Sequence, residues 1–324
     1  VPAAHTHPDF LRLLPKAEVH VHLEGCFSPS DLASLAEQHN EPLPRPVEQL
    51  FDFAGFDEFL EFLSWSCGLL RTVDDVAAAA YSYASRATAS AVVIADIIVN
   101  PTHWASWRGD LAGLIGALDQ GFSAAEVDGL ASVGLCISIL RMQTAAEAIQ
   151  LVDELVVVGH PRVVALSIDA NEALSGRTGS RFADAFQRAS KSGLNRTVHA
   201  GESSGPEGIR DALDLLGADR LDHGVRAIED PSLIAELVDR GIPLGICPSS
   251  NLTLGVFPSW QQHPLDALRL AGVRVSVNND DPGFLAIDLA GEYERSAATY
   301  GSSDGTLRAV AATSLDVCFM NNRR

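Results

Sequence analysis

Residues 144–170 read TAAEAIQLVDELVVVGHPRVVALSIDA, and the two halves of this stretch follow different periods. The first half has helical periodicity and ends at Gly159, a residue suited to a helix C-cap. The second half, 162–170, is short, β-branched and apolar on both faces, as a strand covered on both sides must be. A helix feeding such a strand implies parallel pairing through a crossover connection. The same unit recurs along the chain. Strand-like runs fall at 17–23, 91–99, 134–141, 162–170, 195–202, 220–224, 242–250 and 273–280. Between them lie helical segments such as SRFADAFQRASKSG, GPEGIRDALDLLG and DPSLIAELVDRG, each closed by glycine. Eight units in this length predict an α/β chain folded as a (β/α)8 TIM barrel, with a doubly wound open sheet as the alternative.

The interval between the first two strands, 26–90, is too long for one crossover helix and carries FDFAGFDEFLEFL at its centre. It reads as extra helices inserted after strand 1 near the barrel mouth. With no low-complexity linker and no longer repeat, 1–324 reads as a single domain, with 1–12 as a flexible N-terminal segment. Hydrophobic residues make up 47% of the 324, enough for a large core. A net charge of −19 argues against a nucleic-acid backbone or an anionic membrane as partner. The five cysteines are scattered and odd in number, which fits neither a disulfide framework nor a cysteine zinc site. No run approaches eighteen apolar residues and no signal pattern opens the chain, so the expectation is a cytoplasmic protein.

Polar residues concentrate where the predicted strands end. His20-x-His22 closes the first, His199-Ala-Gly-Glu202 the fifth, Asp222-His223-Gly224 the sixth and Asn278-Asn279-Asp280-Asp281-Pro282 the eighth. In a barrel these ends share one face, where the active sites of the fold lie. Residues at i and i+2 of a strand point the same way, so His20 and His22 can address one ion. Imidazoles plus a carboxylate form the ligand set of a catalytic zinc or related divalent site. The expected ligands are His20, His22, His199 and Asp280. A second pair with the same spacing, His5 and His7, precedes any strand and reads as a solvated terminus.

The motifs LPKAEVHVHLEG, HAGE, LDHGVR, CPSSN and VNNDDP, in this order, resemble the adenosine deaminase family of the amidohydrolase superfamily. The resemblance runs from about Leu14 to Glu292. It implies a hydrolase acting on a cyclic amidine C–N bond, with one Zn2+ per chain activating water for attack at C6 of a 6-aminopurine. It further implies Glu202 as the proton shuttle to purine N1, His223 as the residue that orients the attacking water, and Asp281 as the partner of purine N7. A glutamic acid in a dry pocket suits the first role, because burial raises its pKa.

Substrate choice within the family is less sharply written. Family members that prefer adenosine usually carry an acidic residue, often aspartate, where this chain has Glu24, a glutamate that also resembles adenine-preferring and futalosine-type members. Where this chain has Ala170, the family often has a glycine meeting purine N3. Phe56, Phe59, Leu60 and Leu63 match an apolar lid over the purine, and their spacing equally fits a helix burying its apolar stripe. The first expectation is therefore conversion of adenosine to inosine and ammonia. Free adenine or a modified nucleoside of the aminofutalosine type is the alternative. A catalytically silent, deaminase-like binding protein would be a different class, disfavoured because every ligand and Glu202 are present. A two-metal amide or phosphoester hydrolase would want a bridging lysine, and strand four has none. The expected partner is a small purine; monomer and homo-oligomer remain open.

Overall fold

The structure, a computed structural model, describes residues 8–54 and 56–321. Eight parallel strands follow one another around the barrel in chain order. They are β1 (Lys16–Glu18), β2 (Val92–Val99), β3 (Ser132–Leu140), β4 (Val163–Asp169), β5 (Asn195–Ala200), β6 (Arg220–His223), β7 (Leu244–Ile246) and β8 (Val275–Val277). All seven residues of β4 are buried, as the doubly apolar pattern requires. The helix before it, Ala145–Val158, opens with a capping box between Thr144 and Glu147 and ends on Gly159 at φ 56°.

The barrel closes without a regular ladder between β8 and β1. Val21 and Asp280 form an isolated parallel bridge, in which His22 N donates to Asp280 O at 2.8 Å. Below it the Asn278 carboxamide replaces missing backbone partners, its Oδ1 accepting from Val19 N at 2.8 Å and His20 N at 3.2 Å. The seam that closes the barrel thus carries His20, His22 and Asp280.

Three strands, β1, β7 and β8, are less than half as long as the sequence suggests. β1 stops at Glu18, after which the chain peels toward the seam. β7 ends at Ile246 because Pro248 has no N–H to give and instead opens the helix Pro248–Thr253. β8 ends at Val277, where Asn278 begins the seam contacts. The segment expected to be flexible to residue 12 enters the helix Pro8–Leu13, in which Leu11 is buried; His5 and His7 lie outside the described residues.

Between β1 and β2 run the helices Pro29–Gln38, Phe56–Gly68 and Val73–Ala89. The last lies so close to the helix Leu111–Val127 that a Cβ on Gly121 would meet Ala77 O at 2.1 Å. The rings of Phe51, Phe53, Phe59 and Phe62 all meet Phe284, which follows β8, so this insert sits at the mouth formed by the strand C-termini. At the opposite end the C-terminal segment plugs the barrel. Asp96 accepts from the backbone N–H groups of Phe319 and Met320 and pairs with the fully buried Arg220 at 2.7 Å. All five cysteines are buried and free of disulfides, and no described helix is long and apolar enough to cross a membrane.

Candidate metal centre and its surroundings

The ends of β1, β5, β6 and β8 bring His20, His22, His199, His223 and Asp280 into one buried cluster. Donor atoms of His20, His199, His223 and Asp280 all lie within 4.8 Å of one another. His22 joins them, its Nε2 lying 3.0 Å from His199 Nε2 and 3.4 Å from Asp280 Oδ1. His20 Nε2 is 3.1 Å from His199 Nε2 and 3.2 Å from Asp280 Oδ1.

The oxygens on the far side of each ring sort these histidines; His20 hydrogen-bonds to its own, while His199 and His22 face carboxylates at longer range. His20 Nδ1 donates to Gly245 O at 2.8 Å. His199 Nδ1 faces Asp222 Oδ2 at 3.4 Å, and His22 Nδ1 faces Asp169 Oδ2 at 4.0 Å. Oxygens that only accept favour the proton on Nδ1, which leaves three bare Nε2 lone pairs turned to one point. The His199 lone pair, 3.1 Å from that of His20 and 3.0 Å from that of His22, is repelled by both unless a cation lies between them. Donors bound to one tetrahedral zinc at roughly 2.1 Å stand about 3.4 Å apart, close to the separations found here. Ser250 Oγ donates to Asp280 Oδ2 at 2.6 Å and so leaves Oδ1 to the cluster. The donor set fits a divalent ion.

His223 differs. Asn251 Nδ2 lies 3.2 Å from its Nδ1 and, being an N–H donor, makes that nitrogen the acceptor. The ring proton is then on Nε2, which points to Glu202 Oε1 at 3.4 Å and Asp280 Oδ2 at 3.9 Å. Asn251 Nδ2 also donates to Glu202 Oε1 at 2.9 Å.

Electrostatics follow burial. Desolvation pulls the His20 imidazole down, but Asp222 and Asp280 outweigh it and push the group up to about 9. The carboxylates thus draw a positive charge to this point, and a cation bound there would take the place of the Nε2 proton. Burial raises Asp280, yet His20 and its neighbours hold it well below the usual carboxylate range. Burial, reinforced by Asp280 and Glu172, pushes Glu202 up to about 8. Asp281 is raised well above its ordinary value by burial and by Asp280 and Glu24. Glu24, only 2% exposed, is pushed up to about 7 by burial, against the pull of Trp104. Its Oε1 accepts from Asn100 N and Trp104 Nε1, each at 2.7 Å, while Oε2 is buried with no hydrogen-bond partner among the described residues.

The backbone is forced at this end of the barrel. Ala170, His223 and Asp280 have φ of 80°, 67° and 67°, a region that costs a side-chain-bearing residue on the order of 1 kcal/mol or more. Ala170 therefore adopts the conformation that glycine favours, and its carbonyl accepts from Arg141 Nε at 3.1 Å. Of the four apolar positions in the insert, Leu63 is buried and the Phe59 ring meets Phe53 and Phe284; the side chains of Phe56 and Leu60 lie outside what is described.

Several residues around the cluster escape sequence reading. Ser250 and Asn251, in the CPSSN motif, hold Asp280, Glu202 and His223 from the helix Pro248–Thr253. Glu172 accepts from Gly201 N at 3.1 Å, Glu202 N at 2.9 Å and Ser204 N at 3.3 Å, fixing the loop that carries Glu202. The CPSSN motif signals the first two; nothing in the sequence around Glu172 signals the third.

A sequence profile of the adenosine deaminase family matches residues 15–324. The adenine deaminase of Rhodospirillum rubrum is 33% identical over 321 residues, covering 98% of this chain and 95% of that protein. The crystal structure of adenine deaminase from Arthrobacter aurescens superposes with a TM-score of 0.88 at 29% identity, covering 95% of this chain and 97% of that one. An amidohydrolase from Burkholderia ambifaria, solved with bound zinc, has the same TM-score of 0.88 at 28% identity, covering 98% of this chain and 91% of that one.

Proposed function

The chain belongs to the adenosine deaminase family and is a hydrolytic deaminase acting on a C–N bond, and from that premise we propose that it converts free adenine to hypoxanthine and ammonia with one zinc ion. The observation that carries the metal assignment is the clustering of three Nε2 atoms with Asp280 Oδ1: His20 and His22 each meet that oxygen, and His199 meets both of them. His20, His22, His199 and Asp280 would hold the ion; the opposite ring tautomer keeps His223 out of that set. Bound there, zinc supplies Lewis acidity that makes a water nucleophilic near neutral pH.

The remaining chemistry belongs to the side chains. Addition of water at C6 breaks the aromaticity of the six-membered ring, and a proton on N1 makes that addition accessible. Glu202, protonated at neutral pH by its burial, delivers that proton, with Asn251 holding Oε1 in place. His223 presents Nε2–H to the attacking oxygen. Asp281 meets N7 in the space that Gly25 leaves free. The Ala170 N–H meets N3. Of the two protons of the added water, one passes to the amine, which leaves C6 as ammonia, and the other returns to the Glu202 carboxylate.

Adenosine comes first on the motifs alone; relatives of 32–36% identity named adenine deaminase favour the free base. Glu24 supports that order. Adenine carries an N9–H that a nucleoside replaces with a glycosidic carbon, and Glu24 Oε2 is a buried acceptor without a donor. A site built to bind an N–H rejects an analogue lacking it by a factor on the order of 10⁴. The test is ammonia release from adenine, adenosine, 2′-deoxyadenosine and AMP by zinc-loaded protein. Adenine is expected to lead by about that factor. Equal or faster turnover of adenosine overturns the adenine assignment, and no turnover of any aminopurine overturns the reaction.

A further inference from the structure

His263 touches neither the histidine cluster nor the purine site, yet it lies two hydrogen bonds from both Glu202 and His223. It is 3% exposed, and its ring is packed edge-on against Phe257 at 5.1 Å and tilted against Trp260 at 6.5 Å. The Tyr300 hydroxyl donates to His263 O at 3.2 Å and to Trp260 O at 3.0 Å, which anchors the segment.

The direction of each bond follows from one backbone group. Leu265 N can only donate, and it does so to His263 Nδ1 at 3.2 Å. A neutral imidazole that accepts at Nδ1 carries its proton on Nε2. That Nε2–H donates to Asn251 Oδ1 at 3.1 Å. With its oxygen turned to His263, Asn251 must turn its NH2 the other way. There it donates to Glu202 Oε1 at 2.9 Å and to His223 Nδ1 at 3.2 Å. Were the carboxamide reversed, its oxygen would face the Glu202 carboxyl, and His223 would lose the donor that fixes its Nδ1 as an acceptor.

We infer that His263 is a positioning residue that sets the Asn251 amide, and through it the ring tautomer of His223 and the placement of Glu202. This deepens the deaminase reading and rests on the roles given there to Glu202 and His223. The ring suits the task because burial holds His263 down at about 4, so it stays neutral where the enzyme works. Protonated, it would donate from both nitrogens and oppose Leu265 N. The polar chain runs Leu265, His263, Asn251 and then divides, with every donor and acceptor along it used once or twice.

The test compares His263→Phe with His263→Gln in the zinc-loaded, full-length protein. Glutamine can place an N–H where Nε2–H stands; phenylalanine keeps the ring and loses the donor. With 15N-labelled histidine, His223 in the parent protein is expected to show a protonated Nε2 and a bare Nδ1. In His263→Phe that pattern is expected to be lost, kcat to fall about 10²-fold with KM within roughly threefold, and zinc content to stay at one per chain. His263→Gln is expected to keep the tautomer and most of kcat. An unchanged His223 tautomer in His263→Phe overturns the inference, as does an equal fall in both variants. Should phenylalanine prevent folding, His263→Asn, too short to reach Asn251, replaces it with the same expectations. The tautomer measurement needs no substrate. An inactive parent protein would therefore count against the deaminase reading and leave this inference to be decided by the spectrum.

Discussion

Gly25 and Asp281 share one space: a Cβ on Gly25 would lie 1.9 Å from Asp281 Oδ1 and 2.6 Å from its Cβ and Cγ. The glycine that ends the AEVHVHLEG stretch is thus the vacancy into which the second aspartate of the DDP motif fits. Gly25→Ala is expected to expel the Asp281 carboxyl while sparing His20, His22 and Asp280. A displacement of about 1 Å at a substrate contact costs about 10²-fold in rate. Adenine kcat/KM should fall by that order with zinc still bound, measured by steady-state kinetics and metal analysis. Loss of zinc in this variant would mean that Asp281 belongs to the metal set.

Glu202 must be protonated to serve N1, and burial pushes it up to about 8. The sign is that of an acid catalyst: kcat/KM is level below that pH and falls as the pH rises through it, because the carboxyl has then lost its proton. Glu202→Gln should keep zinc and the loop geometry fixed by Glu172, and lose about 10²–10⁴-fold in kcat. A pH profile that rises through 8, or a glutamine variant of near-normal rate, would refute the shuttle role.

The barrel was legible because each helix-to-strand unit buries both strand faces, which leaves an apolar run that ends abruptly in polar residues. His20, His22, His199, His223 and Asp280 stand out against those runs, and the fold brings their ends together. Glu172, Asn251 and His263 carry no such contrast. Glu172 sits in a short helix, Glu172–Ser175, where an acidic residue in the first turn is ordinary, and only the return of the β5 loop gives it Gly201, Glu202 and Ser204 to hold. His263 reads as a histidine before proline in a loop. Its function depends on the chain between them bringing it back, twelve positions on, to Asn251. Ladder length was misread for a related reason: strands end where side chains such as Asn278 replace the backbone as partners.

Trp104 tests the part assigned to Glu24. Its Nε1–H is one of two donors on Glu24 Oε1, and the indole is fully buried beside that carboxyl. Trp104→Phe removes one hydrogen bond to a carboxyl group, worth about 1.5–3 kcal/mol when the group is charged. Adenine kcat/KM is expected to fall about 10-fold to 100-fold, with no gain toward adenosine beyond its starting rate. The ratio of the two substrates, measured side by side, is the readout. An unchanged ratio would show that Glu24 does not read the N9 position.

His263 also fixes how the fold responds to acid. Burial holds its folded-state value at about 4, against an ordinary value of 6.5. Between those two values the unfolded chain binds the proton and the folded chain does not, so stability rises with pH across the window. In the other direction, the contribution is fully present above pH 6.5 and is lost as the pH falls toward 4. A gap of that size corresponds to about 3 kcal/mol in all, of which about 2 kcal/mol falls between pH 7 and pH 5. Urea unfolding of the zinc-loaded protein at pH 7 and pH 5 measures the loss, and His263→Gln, which has no proton to take up, should lose less stability between them. Because the other buried histidines titrate in both proteins, the quantity that decides is the difference between the two slopes. Parallel slopes would mean that His263 is not held neutral by the fold, and that its bond to Asn251 does not depend on the ring being uncharged.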